Sequence, residues 1–195
     1  MNTLAKTSPR TYPNIDTHKV DSVPAATGEH VMTRDGRKLV LRRIRADDVA
    51  ALQRGFAHLS PEEVRMRFLH PMAELPRDLA VSLCDLDPRY AVAWVLADPD
   101  GAPDAEIHAV ARAYLDPVTE QAEFAPVVQQ DISGQGFGTL LMKRVIDDMR
   151  RLGATELWGD ILLDNAAMLS LCDTLGFEHT QVPHNAGVQR VILSL

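Results

Sequence analysis

Val127-Val-Gln-Gln-Asp-Ile-Ser-Gly-Gln-Gly-Phe-Gly-Thr-Leu-Leu-Met142 is the stretch on which the fold turns. Two valines close an apolar run, a polar turn follows, and glycines stand at 134, 136 and 138. Beyond them Leu141, Val145, Met149 and Leu152 recur at helical spacing, with Lys143, Arg144, Asp147, Arg150 and Arg151 elsewhere on the wheel. The segment reads as strand, turn, glycine cluster, helix. Gly134, Gly136 and Gly138 let backbone N–H groups approach a ligand with no Cβ in the way, and a helix start adds unpaired donors and partial positive charge. The arrangement is a cradle for phosphate. A dinucleotide fingerprint needs G-x-G-x-x-G within a parallel βαβ unit, and a Walker loop needs Gly-Lys-Ser/Thr. Here the order is G-x-G-x-G after strands joined by short turns, and Gly138 is followed by Thr139-Leu140. Neither NAD nor ATP is the natural ligand.

Working outward, Tyr90–Leu96, Ile107–Tyr114 and Ala122–Val128 are short apolar runs split by Asp, Pro and Gly turns, as expected of three successive antiparallel strands. Upstream, Asp35-Gly36 between Val31-Met32 and the alternating Leu39 and Leu41 reads as a hairpin. Asp47 or Asp48 is placed to cap a helix through Phe56. Ser60-Pro61-Glu62-Glu63 is a stronger start, with an N-cap serine, proline at the first helical position and acids in the first turn. A third helix is expected near Pro76, carrying Leu79, Val81, Leu83 and Cys84. Downstream, a strand over 156–163, a helix from Asn165 to Leu175 stopped by Gly176, and strands at 177–182 and 188–193 complete a mixed α/β (α+β) pattern.

Residues 1–29 are rich in Thr, Ser, Pro and Asn, and are expected to form a flexible or surface-draped segment ahead of a domain spanning 30–195. At 195 residues, 46% hydrophobic and 24% charged, the chain has the makings of one soluble domain. Its 20 Lys+Arg against 27 Asp+Glu, a formal charge of -7, argue against nucleic acid as a partner. No apolar run matches a signal-peptide core or the roughly 18 residues of a membrane helix, so no membrane partner and a cytoplasmic location are expected. Cys84 and Cys172 stand singly and the seven histidines show no metal-ligand spacing, so neither a disulfide framework nor a metal site is expected. His108, alone on a strand, reads as a satisfied structural histidine.

Gly136-Phe-Gly138 with Leu140-Leu141 at a helix start, then Gly153, then Asn165 followed by Gly176-Phe177, resembles the GNAT superfamily of acyl-CoA-dependent N-acetyltransferases over residues 31–195. Leu59-Ser-Pro-Glu-Glu with Arg67-Phe68, Ala122-Glu-Phe-Ala, Asp131 ahead of the glycines and Leu163-Asp-Asn-Ala-Ala-Met168 are most similar to the acetyltransferase domain of bacterial protein lysine acetyltransferases. The resemblance implies a mainly antiparallel sheet, splayed in the centre, with helices on both faces. It implies acetyl-CoA as cosubstrate and no metal. Pantetheine would run beside Val127 and Val128, and pyrophosphate would sit on the amides of Ser133, Gly134, Gln135, Gly136, Phe137, Gly138 and Thr139. The family usually has Gln or Arg where this chain has Ser133, a small departure where backbone amides do the holding. Arg144, or Lys143 beside it, is a further candidate for an outer phosphate, with a solvated helix face as the other reading.

Glu123 is the candidate general base. Attack on a thioester needs a neutral amine, a free lysine side chain has a pKa of about 10.4, and a carboxylate must take the proton. Alternation sets Glu123 opposite Phe124 on its strand, and the family places a catalytic glutamate in the matching Ala-Glu position. Glu120 is the nearest substitute. Many relatives protonate the leaving thiolate with a tyrosine seven residues after the helix-starting asparagine; this chain has Cys172 there, which reads more naturally as a small buried hydrophobe. Asn165 caps its helix and, by the resemblance, contacts the cofactor arm. The expected activity is acetyl transfer from acetyl-CoA to a primary amine, with a protein lysine the first choice of acceptor. A small-molecule amine acetyltransferase and a non-catalytic acyl-CoA-binding module stay open.

Overall fold

The Asp35-Gly36 hairpin forms as read: Gly36 takes a left-handed φ of 86° and the Thr33 and Arg37 backbones pair across the turn. It joins β1 (Glu29–Met32) to β2 (Lys38–Arg43). The computed structural model describes residues 28–182 and 185–195, so most of the segment expected over 1–29 lies outside the described residues. A short 3-10 turn at Ala46–Asp48 leads into α1 (Val49–Ala57). The Asp48 carboxylate turns back to the Arg45 N–H and, nearly fully buried, grips Arg42 through two bonds of 2.6 and 2.8 Å. Ser60 and Glu63 close a reciprocal capping box on α2 (Pro61–Phe68), and Pro76 precedes α3 (Arg77–Cys84).

The three apolar runs become β3 (Ala91–Ala97), β4 (Ile107–Asp116) and β5 (Gln121–Val128), antiparallel neighbours as expected. After α4 (Phe137–Arg151), β6 (Glu156–Leu162), α5 (Ala166–Leu175), β7 (Glu178–Gln181) and β8 (Val188–Ser194) finish the fold. The eight strands form one sheet in the order β1-β2-β3-β4-β5-β6-β8-β7, with β5–β6 the one parallel pair among the described residues.

Helices cover both faces. Alternation along β4 sends Ala109, Ala111 and Ala113 toward α4 and α5, where small side chains let Leu141, Val145 and Met149 pack closely. His108, Val110, Arg112 and Tyr114 point the other way, toward α1, α2 and α3. The buried Asp148 fixes α4 to the sheet, accepting from Trp94 Nε1 (2.6 Å) and pairing with Arg43 (2.7 Å) and Arg151 (2.9 Å). The helix that carries the glycine cradle at its N-terminus is therefore tied to β2 and β3 by a charge-assisted network.

Candidate active site

β6 runs alongside β5 over three rungs, Gln121 with Glu156, Ala122 with Leu157 and Glu123 with Trp158. Beyond them β5 continues to Val128 and β6 to Leu162, and no ladder joins them among the described residues. The two strands part at Glu123, leaving one backbone edge of residues 124–128 facing a wedge-shaped gap while β4 pairs the other edge. The Phe124 ring marks the parting. It lies so close over Gly159 of β6 that a Cβ there would stand 2.8 Å from it, and it packs on Phe177 with centroids 5.1 Å apart.

At the far end of β5 sits the cradle. Gly134 and Gly136 have left-handed φ values of 67° and 88°, and a Cβ added to either would meet nothing within 4 Å. Their absent side chains leave open space above the loop, as a backbone-held phosphate requires. Leu140 N–H is the first to reach a carbonyl of the helix, that of Gly136, so the amides of Phe137, Gly138 and Thr139 precede the intrahelical ladder. Gly138 serves differently from its neighbours: it lies inside α4, where an added Cβ would come within 3.3 Å of Leu171 on α5 and 3.8 Å of Val128. It sets helix spacing rather than turn geometry.

The tip of the first hairpin braces the cradle, which the sequence pattern did not reveal. Arg34 donates its backbone N–H to Gln135 Oε1 (2.8 Å) and its guanidinium to the Gly134 carbonyl (2.9 Å), while Arg37 pairs with Asp131 (2.8 Å). Arg144, a candidate for an outer phosphate, is instead ion-paired with Glu29 (2.7 Å) and lies over the Trp94 ring. Lys143 is exposed. Asn165 caps α5 by accepting from the Met168 N–H (3.1 Å), as expected.

Val127 and Val128 diverge as alternation demands. Val127 joins the cluster under α1–α3, and Val128 packs toward α4 and α5. Glu123 is exposed on the α1–α3 face, level with Tyr114 of β4 and Trp158 of β6. Its charge acts on Arg67 of α2 and on Arg190 of β8, which stacks over Trp158 at 4.1 Å and pairs with Asp160. Glu120, the substitute candidate, lies in the turn before β5 with a φ of 57°, its carbonyl holding Thr155. Cys172 is 1% exposed within the core, and burial pushes its thiol up to about 12, with Asp173 adding to the shift. A thiol that holds its proton so firmly is a packing group and a poor acid. His108 is fully engaged, at 2.9 Å from Gln129 Oε1 and 3.1 Å from Asp98.

Among the described residues no cluster of three or more His, Cys, Asp or Glu is placed to hold a metal, and no helix is long and apolar enough to cross a membrane. A sheet splayed beside a glycine cradle defines an acyl-CoA-dependent transferase of the acetyltransferase class. The Acetyltransferase (GNAT) domain family matches residues 38–178, and the chain belongs to this family, whose reaction uses acetyl-CoA. It is 31% identical to an acetyltransferase of Pseudomonas aeruginosa over 172 residues, 82% of this chain and 90% of that one. The GNAT domain of S. lividans PAT has the same fold, with a TM-score of 0.74 at 22% identity over 86% of this chain and 97% of that one. So does yncA, a putative acetyltransferase from Salmonella typhimurium solved with its cofactor acetyl-CoA, with a TM-score of 0.60 at 20% identity over 80% and 94% of the two chains.

Proposed function

We propose that this enzyme moves the acetyl group of acetyl-CoA directly to a primary amine of the lysine type, with Glu123 as general base. The observation that carries the reading is the place of Glu123 on the last rung before β5 and β6 part. A carboxylate there stands beside the gap through which a thioester arm lying along β5 would deliver its carbonyl. In this reading the open edge of β5 at Val127 and Val128 pairs with the amide groups of pantetheine. The amides of Ser133, Gly134, Gln135, Gly136, Phe137, Gly138 and Thr139 take the pyrophosphate, with Arg34 and Arg37 holding the loop in shape. Asn165 meets the cofactor arm while capping α5.

An ammonium cannot attack a carbonyl, so one proton must leave the acceptor before or during bond formation. Glu123 takes it, directly or through water. The exposed face around Glu123 admits an acceptor from solvent, and Arg67, Tyr114 and Trp158 frame its approach. The N–C bond forms, the C–S bond breaks, and the departing thiolate takes its proton from water, consistent with a Cys172 thiol sealed in the core. The cytoplasmic setting expected from the pattern of apolar runs belongs to this proposal.

The test is release of free CoA with a panel of lysine peptides, lysine-bearing proteins and small amines. Glu123→Gln keeps shape and hydrogen-bonding capacity but loses basicity, so kcat falls by about 10²–10⁴-fold while acetyl-CoA affinity, read by isothermal titration, stays near wild type. Full turnover in the Gln variant with chemistry rate-limiting would remove Glu123 from the mechanism. Absence of CoA release with every acceptor, in a protein that still binds acetyl-CoA, would favour a non-catalytic binding module.

A further inference from the structure

A cavity of about 40 Å³ lies under α1–α3, against the ends of β4 and β5 on the face that carries Glu123. Its walls are apolar, with Leu52, Phe56, Phe68 and Val127 among them, yet two guanidinium groups, Arg67 and Arg112, also line it. Arg112 is 2% exposed. It donates to the Leu83 carbonyl at 3.0 Å and contacts the Tyr114 hydroxyl at 3.4 Å, and among the described residues no carboxylate lies within ion-pair distance of it. Arg67, half-buried where Arg112 is buried, lies over the Phe68 ring at 4.8 Å and, among the described residues, has no hydrogen bond or ion pair. Burial pushes its guanidinium below the usual arginine range, and the neighbouring Arg112 charge adds to this, while Tyr114 and Glu123 act in the opposite sense.

Buried charges are ordinarily paired, because desolvating one without a partner is costly. The molecule supplies its own contrast: Arg42, 5% exposed, is held bidentately by Asp48. Two like charges side by side in an apolar cavity repel each other as well. Such an arrangement is stabilised by an anion that arrives from outside. At about three water-sized spheres, the cavity suits a carboxylate with the carbon that bears it, and its planar oxygens match a guanidinium fork. Arg112 stands opposite Ala125, two residues along the strand from Glu123, so the two residues are diagonal neighbours on one face, about 7–8 Å apart with their Cβ atoms somewhat closer.

We propose that Arg67 and Arg112 bind a carboxylate of the acceptor, so that the substrate is an amine that also carries a carboxylate and presents the amine to Glu123. This rests on the reading of that face as the acceptor side. The carboxylate belongs either to a free amino acid or to the chain end of a peptide.

The experiment has a kinetic arm and a binding arm. In the first, kcat/KM is compared for L-lysine against cadaverine, the same amine without the carboxylate, and for a lysine-ended peptide against its C-terminal amide. Each carboxylate-bearing acceptor is expected to be better than its counterpart by about 10- to 100-fold. In Arg67→Met this ratio collapses to within about threefold, and Arg67→Lys, which keeps charge but loses the fork, falls between. Preference in the lysine pair alone assigns the site to free amino acids, and in the peptide pair alone to peptides.

The binding arm needs no turnover. Propionate, against chloride at equal ionic strength, raises the melting temperature of the wild type and not that of Arg67→Met. Without ligand, Arg67→Met melts higher than wild type, because a like charge facing the buried Arg112 has left the cavity, whereas loss of a merely structural arginine lowers it. Arg112→Met gives the same pattern if it folds, and the Arg67 variants decide the matter if it does not. Equal rates for both members of each pair, or no propionate shift, would overturn the proposal, as would a larger shift with inorganic phosphate. A propionate shift in a protein that acetylates nothing would leave the carboxylate site standing and remove the acetyl-transfer reading.

Discussion

Gly159→Ala tests the physical basis of the splay. Gly159 is buried in β6 one position beyond the last β5–β6 rung, and a Cβ there would stand 2.8 and 2.9 Å from two carbons of the Phe124 ring. Ordinary contact begins at 3.4 Å, so the ring must retreat by about 0.6 Å. It has little room to do so. Phe124 is 4% exposed and is backed by Phe177, itself 5% exposed. Overpacking of this kind costs about 1–3 kcal/mol. For a chain of this size that is a fall in melting temperature of about 2–12 °C. Urea unfolding should show a lower midpoint with an unchanged slope. Phe124 directly follows Glu123, so kcat/KM should drop with the midpoint. Combining Gly159→Ala with Phe124→Leu, which shortens the ring side of the clash, should recover at least about 1 kcal/mol relative to the sum of the single changes. A Gly159→Ala midpoint within about 0.3 kcal/mol of wild type, or strict additivity in the double variant, would refute the argument that a ring seated on glycine defines the parting.

The cradle glycines separate by backbone geometry. Gly136→Ala forces a Cβ residue to a φ of 88° and should lose about 1–2 kcal/mol together with acetyl-CoA affinity, while Gly138→Ala, which has no positive φ and comes within 3.3 Å of the flexible tip of Leu171 and 3.8 Å of Val128, should lose less stability; thermal melts and isothermal titration read both. The two cysteines predict an alkaline limb. Burial raises Cys84 to about 11 and Cys172 to about 12 from an ordinary 9.0, so both thiols hold their protons more tightly when folded than when unfolded. Their share of stability is intact below pH 9 and is lost as pH rises through 11 and 12. A Cys84→Ala/Cys172→Ala protein should therefore lose melting temperature less steeply than wild type above pH 9, and an equal slope in the two proteins would contradict the assignment.

What the sequence makes legible is what a few consecutive residues decide. Asp35-Gly36 needs only its own turn, Ser60-Pro61-Glu62-Glu63 only its own cap, and Gly176 only its own φ of 85°, and each appears where the pattern puts it. The cradle belongs to the same kind: Gly134 and Gly136 carry their conformational meaning locally. Arg34 and Arg37 escape such a reading because their partners lie about a hundred residues away in sequence, and hairpin tips are ordinarily solvated. Arg144 misleads for the converse reason. A helical wheel gives it an open face, and Glu29 and Trp94, brought in by β1 and β3, occupy it.

Arg112 shows how a local oddity becomes functional only through register. Within Ile107-His-Ala-Val-Ala-Arg-Ala-Tyr114 it is simply a charge in an apolar strand, and alternation says no more than that it shares a face with His108, Val110 and Tyr114. The hairpin pairing of β4 with β5 then sets Tyr114 opposite Glu123 and Arg112 opposite Ala125, so a one-residue slip would turn Arg112 into the α4 core and Ala113 onto the site. That slip is blocked by the alanines. Ala109, Ala111 and Ala113 are small because α4 packs directly on them, and Arg112 in any of those places would bury a guanidinium against Leu141 and Met149. The packing that holds the cradle helix to the sheet is thus the packing that fixes which β4 side chains face Glu123. Enlarging one alanine, as in Ala111→Leu, should weaken acetyl-CoA binding and acceptor turnover together, whereas changes confined to Arg67 act on the acceptor alone.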